Sequence, residues 1–140
     1  MGVSERMKRM PHCVGIVIDE AKKSFSGRIY HCYSDRPQMF NDITELFYLV
    51  ENVMDAVNFP ALKTKNRTFK KTESFYETEV IDVENKVLSV EELIPEDEPS
   101  GYVLMITSRD NSTWQGLLYD KASDVESGFN SEVELIRLLK

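Results

Sequence analysis

Two His-Cys dipeptides, His12-Cys13 and His31-Cys32, carry the side chains best suited to chemistry in this chain. Imidazole and thiolate are preferred zinc ligands, and a structural site takes four of them in a tetrahedron. Strand parity argues against that use. Neighbours along a strand point to opposite faces. If 12–19 and 25–34 pair as a hairpin, no more than two of the four side chains meet on one face. Their spacing also matches no standard zinc motif. The expectation is a pair of core or edge positions, with no metal and no cofactor. As the only cysteines they are too few for a disulfide scaffold, and a reducing cytosol would keep them as thiols.

Glu45 and Glu134 are a second candidate, as paired carboxylates for acid–base work. Such work needs the two groups roughly 5–10 Å apart. A local role already accounts for both. Asp42-Ile43-Thr44-Glu45 and Ser131-Glu132-Val133-Glu134 each fit a capping box, in which the glutamate reaches back over the start of a helix. No nucleophile arrangement stands out, because both histidines, His12 and His31, lie outside any known catalytic motif. An enzymatic reading would have to build its site from His31, Glu45 or Cys32. Gly27 and Gly116 are isolated, so there is no phosphate-binding glycine loop; each marks close packing.

The elements that must position these residues come from an internal repeat. Residues 13–50 slide by 89 positions onto 102–139 without a gap, and ten of the 38 pairs are identical. They include Gly27/Gly116, Tyr30/Tyr119, Phe40/Phe129, Asn41/Asn130, Glu45/Glu134 and Leu46/Leu135. In each copy two β-rich runs, 13–19 with 25–34 and 102–108 with 114–121, flank turn-forming residues, as in a hairpin. Gln38 to Phe40 and Glu126 to Phe129 suit a short third strand. A capped helix follows, and in the first copy Ile43, Leu46, Phe47, Val50, Val53, Met54 and Val57 form one apolar stripe. The segment 61–100 is the least patterned. Residues 79–83 and 86–90 suit a small hairpin, Ser89 to Glu92 a short capped helix, and 96–100 a solvated linker, part of it disordered.

The second copy, through Asn111 to Gly116 and then Phe129, Ser131, Glu134 and Leu135, resembles a group of short bacterial proteins. Those proteins share an Asn-x-Thr-Trp-Gln-Gly hairpin and a Phe-x-Ser-x-x-Glu-Leu helix start. The resemblance spans about 40 residues and implies a βββα unit, without an activity. Phe25 and Ser26 replace the tryptophan and glutamine in the first copy.

Trp114, the sole tryptophan, is read as core because Phe25 shares its repeat position; an exposed interface anchor is the alternative. Tyr30 and Tyr119 fall on the opposite strand face and are candidates for a contact surface. Lys63, Lys65, Arg67, Lys70 and Lys71 make a basic run with no acid, followed from Glu73 to Glu98 by ten acids and one lysine. A net charge of −7 opposes non-specific nucleic-acid binding. Residues 1–11 lack the apolar stretch of a signal peptide, and no run approaches a membrane span, so the expected location is the cytoplasm.

The sequence thus predicts an α+β protein of two tandem ββ(β)α repeats, with helices packed on antiparallel sheet and the two copies packed through their apolar faces about a pseudo-two-fold axis. Its parts are a flexible N-terminus (1–11), a first repeat (12–60), a connecting segment (61–100) and a second repeat (101–140). The expected function is a non-catalytic protein–protein interaction or regulatory module, a monomeric pseudo-dimer or a homodimer. Its candidate surface comprises Tyr30, Tyr119 and the 61–71 cations. The alternatives are a nucleic-acid-associated regulator using 61–71 and a small enzyme with a site between the repeats.

Overall fold

The computed structural model describes residues 2–19, 25–59, 81–109 and 113–139. Their elements run in the order α1 (Glu5–Lys8), β1 (Val14–Ile18), β2 (Gly27–His31), β3 (Gln38–Phe40), α2 (Ile43–Val57), a 3-10 turn (Val90–Glu92), β4 (Tyr102–Ser108), β5 (Gln115–Asp120), β6 (Val125–Phe129) and α3 (Glu132–Leu138). All six strands form one sheet in the order β3-β2-β1-β4-β5-β6. Every pairing is antiparallel. The fold is therefore α+β, as the alternation and the capping boxes predict.

β1 and β4 meet edge to edge at the centre, with Val14 opposite Leu104 and Ile16 opposite Tyr102. The two halves of the chain thus extend one sheet rather than packing their apolar faces together. On the first face of that sheet, Val14, Ile16, Ile29, Phe40, Leu104, Ile106, Leu118 and Phe129 share a core with Leu46, Leu49, Val50, Val53 and Met54 of α2 and Leu135 of α3. The helical stripe legible in the sequence supplies that contact.

Both long-range helices start as their caps dictate. Asp42 accepts from the Glu45 amide at 2.7 Å, and Ser131 from the Glu134 amide at 3.2 Å. The glutamates reach one residue further back than the simplest capping box, to the amides of Asn41 (2.9 Å) and Asn130 (2.7 Å). Asn58, at φ 60°, closes α2 in the left-handed conformation that asparagine tolerates.

The second face is covered as well, which the sequence reading does not anticipate. Met7 of α1 and Val90, Leu93 and Ile94 pack over Cys13, Val17, Tyr30, Cys32, Val103, Met105 and Tyr119. Residues 1–11 are expected to be flexible, yet Met7 is fully buried. The connecting segment gives no hairpin at 86–90. Instead Ser89 opens the 3-10 turn, its amide donating to Glu92 Oε1 at 2.8 Å. Gly15 explains how this segment lies flat on the sheet. A Cβ there would sit 2.3 Å from the Leu93 carbonyl oxygen, so only glycine admits the chain at that depth. Nor is 96–100 a solvated linker throughout. Glu98 pairs with Arg28 at 2.7 Å, and the Lys121 ammonium donates to the carbonyls of Pro95 (3.3 Å) and Glu98.

Candidate functional site

The covered second face disposes of part of the candidate surface. Tyr30 and Tyr119 do lie opposite the Trp114 face, but they are only 8% and 7% exposed. α1 and the 88–98 stretch occupy the space a partner would need. The Tyr119 hydroxyl donates to Asp124 Oδ1 at 2.7 Å, and burial, then this bond, pushes it up to about 12. The phenol thus stays a neutral donor. The remaining candidates, Lys63, Lys65, Arg67, Lys70 and Lys71, lie outside the described residues.

His31, Cys32 and Glu45 do not assemble into a catalytic set. Cys32 belongs to the second-face core, whereas Glu45 stands at the start of α2 on the first face. His31 accepts from the Tyr33 amide through Nδ1 at 3.1 Å, a local turn contact. Glu134 is likewise engaged in its own cap. No group of three or more His, Cys, Asp and Glu among the described residues is arranged to hold a metal ion.

Trp114 is 5% exposed and belongs to the first-face core. It packs on Phe47 with ring centroids 5.0 Å apart, and its indole N–H donates to Glu51 Oε2 at 3.0 Å. Both partners are on α2, so this side chain ties the start of β5 to the helix of the other half. Beside it is a polar cluster that sequence reasoning missed. Arg109, its side chain 2% exposed, pairs with Asp55 at 2.8 Å and Glu51 at 3.6 Å. His12 is also buried, its ring 4.9 Å from that of Phe59. Its Nε2–H donates to the Ile106 carbonyl at 2.6 Å, while Nδ1 has no hydrogen-bond partner among the described residues. Burial first, and Arg109 in addition, hold the imidazole below its ordinary range, in its neutral form. The only signal in the sequence is the i, i+4 spacing of Glu51 and Asp55 on one helix face.

A cleft of about 590 Å³ opens on the second face, lined by Lys8, Val90, Ile94, Val103, Tyr119 and Lys121, among others. Its size suits a small molecule. Its named polar groups are already engaged in holding the cover: Lys8 with Glu5 (3.2 Å) and Glu91 (3.7 Å), Lys121 with two carbonyls, and Tyr119 with Asp124.

The outer strands of the sheet are different. Among the described residues, β3 and β6 each pair with one neighbour and form the two outer edges of the sheet. Six large apolar side chains are exposed among the described residues, and three of them lie on these two strands or on the helix that follows β6. Met39 is in β3, Val125 in β6, and Val133 in the first turn of α3; all three are more than half exposed. Phe129 at the end of β6 is buried, so the strand is anchored at one end and apolar and open at the other.

No protein-family model matches this chain, and neither a curated protein nor a solved structure shows significant similarity to it. No helix among the described residues is long and apolar enough to cross a membrane.

Proposed function

We propose that the chain is a non-catalytic protein-interaction module that receives an extended segment of its partner along the open edge of β6. The carrying observation is that edge itself. An outer strand offers unpaired N–H and C=O groups, which template the addition of another strand. Main-chain bonds supply affinity in such complexes, and exposed side chains beside the edge supply selectivity. Val125 and Val133 are the apolar groups available for that purpose. β6 is favoured over β3 because it has five residues rather than three, and because Pro37 immediately precedes β3.

The module is further proposed to be two fused ββ(β)α repeats about a pseudo-two-fold axis between β1 and β4. Several contacts support this at the 89-residue offset. Gly27 faces Phe40, and Gly116 faces Phe129. A Cβ on either glycine would lie 2.1 Å from a carbonyl oxygen of the neighbouring strand, that of Val17 or of Met105. The caps Asp42 and Ser131 correspond in the same way. One departure runs through β4, where Val103 and Met105 face the second side of the sheet although their counterparts Val14 and Ile16 face the first. The β4–β5 register shifts between Ile106 and Ser108, so its rungs run one residue out of step with β1–β2.

Affinity capture with the full chain as bait tests the proposal. A discrete protein partner should be retained by the parent and by Met39→Lys, and lost with Val125→Lys. A charge on an edge strand opposes strand addition. Retention unchanged by Val125→Lys would contradict the edge assignment. Capture of nucleic acid that disappears steeply with salt would instead favour a basic-segment regulator.

A further inference from the structure

We propose that Cys13 and Cys32 form an oxidisable dithiol that closes into a cross-strand disulfide. The β1–β2 ladder runs from Ile18 opposite Gly27 to Val14 opposite His31. One step further along the same register sets Cys13 directly opposite Cys32. Both are free thiols, both are fully buried, and both side chains belong to the second-face core with Val17 and Tyr30. They therefore project to the same side of the sheet.

Geometry permits the bond. Directly opposed residues on antiparallel strands have Cα atoms about 4.5–5.5 Å apart, within the roughly 4.4–6.8 Å that a disulfide spans. This step of the register also makes other backbone bonds. The Cys13 amide donates to the Met10 carbonyl at 3.5 Å, and the Cys32 carbonyl accepts from the amides of Val87 (2.6 Å) and Leu88 (3.0 Å). The bonded ladder ends at Val14 and His31, so the opposition of the two cysteines follows from its register rather than from a rung of their own.

The lid over the pair is α1. The Cys13 thiol donates to the Met7 carbonyl at 3.5 Å, a weak bond. A four-residue helix has no independent stability, so it opens locally far more readily than the sheet beneath it. Opening admits the co-reactant, hydrogen peroxide. One thiolate sulfur attacks the peroxide O–O bond, giving a sulfenic acid and, after protonation of the leaving oxygen, water. The second thiolate displaces the sulfenic oxygen, which leaves as a second water. The two thiol protons end in water, each sulfur is oxidised by one electron, and peroxide is reduced by two. Burial pushes the Cys13 thiol up to about 12 and raises that of Cys32. The reaction is accordingly slow and gated by opening, unlike that of a low-pKa peroxide sensor. Closure also removes the S–H that binds Met7, loosening α1.

The test is hydrogen peroxide treatment of the native full chain, followed by intact mass measurement and a thiol count under denaturing conditions. The expected product is a monomer lighter by about 2 Da, with no free thiol and recovered by a thiol reductant. Cys13→Ser and Cys32→Ser should each lose this product. Three outcomes overturn the proposal: retention of both thiols, a disulfide-linked dimer, or independent over-oxidation of each sulfur in the parent protein.

Discussion

Removing the indole of Trp114 should cost a large part of the stability of this fold. The side chain is nearly fully buried and bridges β5 to Phe47 and Glu51 of α2. Deleting a large buried aromatic typically costs about 3–5 kcal/mol, from lost transfer energy and the cavity left behind. The lost N–H bond to Glu51 adds little, since that carboxylate is 23% exposed and keeps Arg109 as a partner. Trp114→Ala is therefore expected to lose about 3–5 kcal/mol, from a domain total of order 5–15 kcal/mol. Urea unfolding followed by far-UV circular dichroism reads this as a lower midpoint at unchanged slope. Trp114→Phe keeps the contact with Phe47 and should recover more than half of the loss. Phe25→Ala should cost less than Trp114→Ala, because Phe25 is only partly buried, against Phe40 at 5.8 Å. A Trp114→Ala protein that unfolds at the parental urea concentration would refute this reasoning and make Trp114 an interface residue.

Other outcomes follow from single contacts. Gly27→Ala and Gly116→Ala should each destabilise the sheet by about 1–3 kcal/mol, since the new Cβ meets a strand carbonyl that cannot move aside. Gly128→Ala, whose Cβ would meet nothing closer than 3.8 Å, should melt near the parental temperature. His12 is held neutral in the fold, so its contribution is complete above its unfolded value, near 6.5. That contribution is lost as pH falls from there toward the depressed folded value, because the unfolded chain binds the proton more readily. Stability profiles of the parent and His12→Gln should therefore converge below pH 6.5, and parallel profiles across that range would contradict the assignment.

The first-face core was legible because its determinants are local and repeated. The helical stripe from Ile43 to Val57, the boxes at Asp42 and Ser131, and the alternation in the strands each follow from neighbours in sequence. The second face was not legible. Its cover is a one-turn helix and an irregular stretch, 88–98, held by Met7, Leu93 and Ile94 and by contacts such as Arg28–Glu98. Isolated apolar residues in a charged segment have no period to betray them, so Tyr30 and Tyr119 read as exposed. Arg109 was hidden for a related reason. Its partners, Asp55 and Glu51, are more than fifty residues away, and only tertiary structure brings them to it. Of the site itself, the sequence disclosed short third strands in each half. It could not show that β3 and β6 form the outer edges, because strand order depends on how the halves join.

Amide hydrogen exchange across the chain, with and without its captured protein partner, tests the central proposal most directly. Strand addition predicts new protection concentrated in Val125–Phe129, with the β3 amides and the second-face cleft unchanged. Protection confined to the residues lining that cleft, or absent from β6 while the partner is bound, would contradict it.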